Sequence, residues 1–160
     1  MLRGERRLPN PTRSLMSKPV VPGRQELAHP SIAPSVLLVD DEISIRAAMR
    51  RYFSRRGWKV SEAPDGATAQ RLLDPSSRNE FDVVICDLRM PRFSGSDLYR
   101  WLERNRPEVV DRVVFSSGDV MSAEVAVFLE RAHRPVLPKP FDLGELGRIV
   151  DEVYRAAHAA

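Results

Sequence analysis

From residue 36 onward, five short apolar runs alternate with segments whose apolar residues recur at helical spacing. Val36-Leu37-Leu38-Val39, Val83-Val84-Ile85-Cys86 and Val113-Val114-Phe115 have no polar side to turn to water, which is the pattern of strands buried on both faces. Trp58 to Ala63 and Pro135-Val136-Leu137 complete the set. Between them, Ile43, Ala47 and Phe53 trace a helical face that stops at Gly57, and Asp65 caps a second helix through about Leu73. Ser96 or Asp97 is expected to cap a third carrying Leu98, Trp101 and Leu102, ending before Pro107. Ser122 caps a fourth through about Ala132, and Asp142 begins a fifth with Leu143, Leu146, Ile149, Val150 and Val153. Such alternation predicts right-handed βαβ crossovers and an α/β doubly wound parallel sheet. Two strand orders compete, the flavodoxin-like 2-1-3-4-5 and a truncated Rossmann sheet; both put ligands at the carboxyl ends of the strands.

Residues 1–35 differ from this body. They hold six of the 13 prolines, six basic side chains and two acidic ones, leaving 19 basic and 20 acidic in the remainder. Proline at that density blocks helix and central strand, so residues 1–35 are read as a disordered basic tail and 36–157 as the folded domain. The net charge of +3 thus comes from the tail, and the body carries no overall basic bias of the kind a nucleic-acid-binding domain shows. The longest apolar run, Val125 to Leu129, is five residues, far short of a bilayer span. A single cysteine, Cys86, excludes an internal disulfide and a cysteine-based zinc site and suits a reducing, cytoplasmic compartment; it reads as buried packing.

The chemistry sits where the strands end. Strand one runs into Asp40-Asp41, strand three into Asp87, strand four into Ser116-Ser117-Gly118, and strand five into Lys139-Pro140. Taken singly, each has a structural explanation: acids at a strand end cap helices or shape loops, serine turns a chain, lysine stays in water. Taken together, four strands deliver carboxylates, a hydroxyl and an ammonium to one edge. Clustered carboxylates need a cation, and an all-oxygen site with few protein ligands suits Mg²⁺. A lysine beside them is a point charge suited to a phosphoryl oxygen.

Asp40-Asp41-Glu42, Asp87-Leu88-Arg89-Met90-Pro91 with Gly95 downstream, Ser116-Ser117-Gly118-Asp119 and Lys139-Pro140-Phe141, in this order, resemble the receiver domain of bacterial two-component response regulators, over roughly Ser35 to Arg155. The resemblance implies the (βα)5 flavodoxin-like fold with strand order 2-1-3-4-5, and implies a set of roles. Asp87 matches the phosphoacceptor. Asp41 matches a direct Mg²⁺ ligand, Asp40 its acidic neighbour acting through water, and the backbone carbonyl of Arg89 a further metal ligand. Ser117 matches the switch hydroxyl, because a small residue follows it; Ser116 is the second choice. Lys139 matches the phosphate-binding lysine, and Lys139-Pro140 a peptide that is usually cis.

The implied function is phosphorelay signalling. A histidine kinase or phosphotransfer protein donates a phosphoryl group to Asp87 with Mg²⁺ as cofactor, and the switch alters binding to a downstream protein, with no direct role for nucleic acid or membrane. Such a chain is expected to be a monomer or weak dimer and to catalyse only its own phosphorylation and dephosphorylation. With five residues after Arg155, no output domain is expected at the carboxyl end. Departures exist: Val136 stands where the family often carries an aromatic residue, and Arg89 and Asp119 place a long cation and an acid beside the site. Rival readings are a receiver-like scaffold without phosphorylation and a haloacid-dehalogenase-type phosphatase. The latter wants a second aspartate where Arg89 stands. A nucleotide-binding fold lacks its glycine-rich loop after strand one.

Overall fold

The computed structural model describes residues 32–159, so the expected tail lies outside the described residues apart from its last four positions. Ser35, the last of these, already begins the first strand. The elements run β1 (Ser35–Val39), α1 (Ile43–Arg55), β2 (Lys59–Ala63), α2 (Gly66–Leu73), a 3₁₀ turn (Pro75–Ser77), β3 (Val83–Asp87), α3 (Gly95–Asn105), α4 (Pro107–Val110), β4 (Val113–Ser117), α5 (Ala123–Ala132), β5 (Val136–Pro138) and α6 (Leu143–Ala157). All pairings are parallel and the strand order is β2-β1-β3-β4-β5, which decides between the two expected orders for the flavodoxin-like one.

The sheet divides the core in two because strand side chains alternate. Leu37, Val39, Val84, Cys86, Val113 and Phe115 face α2, α3 and α5, where Leu98, Leu102 and Phe128 meet them. Val36, Leu38, Val83, Ile85, Val114 and Leu137 face α1 and α6, against Met49, Phe53, Leu146 and Val150. Every residue of β3 and β4 is buried, as the unbroken apolar runs require. Burying such a side chain contributes about 1.5–3 kcal/mol, so the two central strands anchor the fold. Cys86 is part of this packing, and burial pushes its thiol well above the ordinary range, with Asp87 and Asp40 adding to the shift.

Local signals set the helix starts. Asp65 accepts the Thr68 N–H at 2.7 Å, Ser122 that of Val125 at 3.3 Å, and Asp142 that of Glu145 at 3.0 Å. The cap of α3 is Ser94, not Ser96 or Asp97. Ser94 and Asp97 close a reciprocal capping box, with Asp97 N–H donating to Ser94 Oγ at 3.1 Å and Ser94 N–H to Asp97 Oδ2 at 3.1 Å. A sixth helix, the single turn α4, was not expected from the sequence. Proline ends α3 yet can open a new turn at its first position, where no N–H is needed.

The candidate acceptor site

Helix α1 begins after Glu42 without a side-chain cap. Asp40, fully buried, uses Oδ1 to accept the Glu42 N–H at 2.8 Å. Asp87, the last residue of β3, uses Oδ1 to accept the Arg89 N–H at 3.0 Å. Ser117, the last residue of β4, accepts the Asp119 N–H at 3.1 Å. Three strand ends therefore share one device, a side-chain oxygen bonded to the N–H two residues on, which shapes each loop as it leaves the sheet. For the two aspartates the loop-shaping and chemical readings are both met, since the second oxygen of each turns inward.

Those second oxygens meet Lys139. Its Nζ lies 2.8 Å from Asp40 Oδ2, 3.0 Å from Asp87 Oδ2 and 3.0 Å from Glu42 Oε1. The shortest of these contacts, 2.8 Å, pairs the ammonium with a carboxylate that is fully buried. The peptide Lys139-Pro140 is cis, as the resemblance implied. Burial alone would lower the lysine's pKa, but bonds to Asp40, Asp87 and Glu42 outweigh it and hold the ammonium above its ordinary value. Asp87 moves the other way from a paired surface acid. Burial raises its pKa, and the Arg89 N–H and Lys139 only partly offset that cost.

Gly95 makes the close approach of the β3–α3 loop possible: a Cβ there would collide with the backbone oxygen of Asp87. Around the acceptor, Asp41, Glu42, Asp87, Arg89, Gly118, Asp119 and Lys139 line an open cavity of about 380 Å³. Arg89 and Asp119 pair across its rim at 2.6 Å.

All expected site residues gather here, with different postures. Asp40, Asp87, Ser116 and Ser117 are buried at the sheet edge, whereas Asp41 is exposed on the cavity wall. Glu42, given no role from the sequence, supplies the third carboxylate on Lys139. Its only sequence signal was adjacency to the two aspartates. Oxygens of Asp40, Glu42 and Asp87 lie within 4.8 Å of one another. Three carboxylates against one ammonium leave an excess of negative charge. This all-oxygen donor set fits a small hard cation.

A sheet with this strand order and a lysine clasped by acids at its carboxyl edge defines a receiver-type domain. Comparison with known proteins agrees, since residues 36–151 match the family described as the response regulator receiver domain. The chain belongs to that family, the receiver domains of two-component response regulators. It is 37% identical over 111 residues to the response regulator MprA of Mycobacterium sp. (strain KMS), covering 69% of this chain and 46% of that protein. It is 34% identical over 119 residues to the sensor kinase CckA of Brucella abortus, covering 74% of this chain and 12% of the kinase. The chain therefore spans less than half the length of these curated relatives. Among solved structures, a response regulator receiver protein from Pseudomonas putida superposes with a TM-score of 0.67 at 31% identity, covering 76% of this chain and 98% of that one. Among the described residues, no helix is long and apolar enough to cross a membrane.

Proposed function

We propose that Asp87 accepts a phosphoryl group from a phosphohistidine on a histidine kinase or phosphotransfer protein, and that the resulting change at Ser117 and Lys139 alters binding to a downstream protein. The observation that carries this reading is the Asp87 carboxylate itself. One oxygen is tied to the Arg89 N–H, the other lies 3.0 Å from Lys139, and the group opens onto a polar cavity. A carboxylate is a weak nucleophile, so placement and charge neutralisation must supply most of the rate.

An Asp87 oxygen forms the bond to phosphorus while the bond to the donor nitrogen breaks, and the electron pair leaves with the imidazole. Lys139 faces the charge that develops on the phosphoryl oxygens. Asp40, Asp41, Asp87 and the Arg89 carbonyl are the groups that would hold Mg²⁺, which neutralises phosphoryl charge and orients the donor when bound. Ser117 then gives up the Asp119 N–H and donates its hydroxyl to a phosphoryl oxygen, drawing the β4–α5 loop with it and biasing a two-state equilibrium.

Intact-mass analysis of the protein with acetyl phosphate and Mg²⁺ tests this. One phosphoryl mass is expected, dependent on Mg²⁺ and absent from Asp87→Asn. An Asn variant that gains the same mass at the same rate refutes the assignment.

A further inference from the structure

Ser116 presents a problem that the proposed chemistry does not use. It is 1% exposed, and its Oγ has no hydrogen-bond partner. Buried hydroxyls without partners are rare and destabilising, so a native one calls for an explanation.

Its position supplies one. In the sheet register Ser116 stands beside Asp87 on β3 and Leu137 on β5. Val114, two residues earlier, faces the α1 and α6 side together with Ile85 and Leu137, while Phe115 faces the other way with Cys86. Alternation therefore puts the Ser116 side chain on the face of its register partners Asp87 and Leu137, and Lys139 follows β5 at the same edge of the sheet. Ser117, the next residue and the last of β4, already accepts the Asp119 N–H. Because β4 lies between β3 and β5, the Lys139 side chain has to cross β4 to reach Asp87, and it reaches further still to touch Asp40 beyond β1. Ser116 is the β4 residue in register with Asp87, the group the lysine reaches.

Resting on the reading of Asp87 as phosphoacceptor, we propose that Ser116 is a positioning residue for Lys139, its hydroxyl serving as the acceptor the ammonium takes up when it leaves Asp40 and Glu42. In the unphosphorylated protein the three carboxylates surround the ammonium, and Ser116 is left out. Phosphorylation turns one Asp87 carboxylate oxygen into the bridging oxygen of a mixed anhydride and moves the negative charge outward onto the phosphoryl group. The phosphoryl oxygens then compete with Asp40 for Lys139. Drawing back, it brings Nζ over β4, where Ser116 Oγ can accept one N–H while the others face the phosphoryl oxygens. The hydroxyl thus costs stability in one state and is satisfied in the other.

Ser116→Ala removes one oxygen and leaves the volume nearly unchanged, so the two states can be read separately. The midpoint of thermal unfolding in EDTA should rise by about 2–4 °C, because the orphaned group is gone. The rate of phosphorylation by acetyl phosphate with Mg²⁺, followed by intact mass, should fall about tenfold, the worth of one hydrogen bond to a charged group. Ser116→Thr, which keeps the hydroxyl, should stay close to the wild-type rate. An alanine variant phosphorylated at the wild-type rate overturns the proposal, as does one in which rate and midpoint fall together, which marks plain packing. A threonine variant as slow as alanine also overturns it. If the wild-type protein takes up no phosphoryl group, the proposed function fails and this inference with it, whereas a phosphorylated wild type with an unaffected alanine variant defeats this inference alone.

Discussion

Two buried polar groups sit at opposite edges of the sheet and are satisfied in opposite ways. At the amino edge, Arg106 is 6% exposed, donates to the Leu73 carbonyl at 3.0 Å, and pairs with Glu108 and, at 3.4 Å, Glu80. Both acids are mostly in water, and the arginine ties the end of α2 to the start of α4 without an orphaned atom among the described buried side chains of its cluster. At the carboxyl edge, Lys139 faces three carboxylates, and the buried Ser116 Oγ has no hydrogen-bond partner. One cluster is a finished structural joint. The other keeps an excess of negative charge and a buried hydroxyl without a partner. Buried polar networks stabilise only when every member is satisfied, so the contrast separates stability from function within one fold.

The strongest test of that contrast is Asp87→Asn. Phosphorylation should disappear entirely, yet the fold should become more stable at neutral pH, because a buried carboxylate is replaced by a neutral amide. A variant less stable than wild type in EDTA would place Asp87 among the structural joints.

Arg106→Ala should do the reverse. Loss of the Leu73 carbonyl's partner and of the packed guanidinium should cost about 2–4 kcal/mol in denaturant unfolding, with the phosphorylation rate of the folded protein unchanged. A slower phosphorylation in fully folded Arg106→Ala would break the separation of the two edges.

The raised pKa of Asp87 sharpens the comparison through pH. A carboxyl group whose folded-state pKa lies above its unfolded value binds its proton more tightly in the folded protein. Its contribution to stability is therefore full below the unfolded value, about 4, and is lost as pH rises through the folded one. The advantage of Asp87→Asn over wild type should be present at pH 7 and shrink toward zero as the solution is acidified past the ordinary aspartate range. Thermal melts in EDTA across that interval check it, and an advantage that grows in acid contradicts the assignment.

Asp41→Asn is the smallest expected effect. Asp41 is exposed, so relief of like-charge repulsion should raise the melting midpoint in EDTA by only about 1–2 °C. The stabilisation that millimolar Mg²⁺ gives wild type should shrink in the same variant, since a ligand stabilises the state it binds. A lower midpoint in EDTA would instead make Asp41 part of the structural frame of α1.

Much of this was legible in the chain. Alternating apolar runs and helical periods specified five strands with crossovers, and the acids, hydroxyls and lysine marked the carboxyl edge, because a parallel sheet must bring all its strand ends to one side. Asp65, Ser122 and Asp142 announced their helices through local bonding that needs no tertiary partner. The α3 cap was displaced to Ser94 because several adjacent serines and acids can cap, and Gly95, pressed against Asp87, fixes where the loop closes.

Sequence alone determined that these groups meet; the tertiary structure decided how they face one another. Beyond the last strand residue the period-two rule lapses, so whether Asp41 or Glu42 turns to Lys139 depends on the turn Asp40 builds with its own oxygen. The place of Ser116 was likewise set by strand order, since β4 pairing with β3 stands it beside Asp87. Arg106 is buried because two helix ends converge on it. Local periodicity encodes which residues lie at an edge, while side-chain partners across that edge are fixed by contacts between segments far apart in the chain.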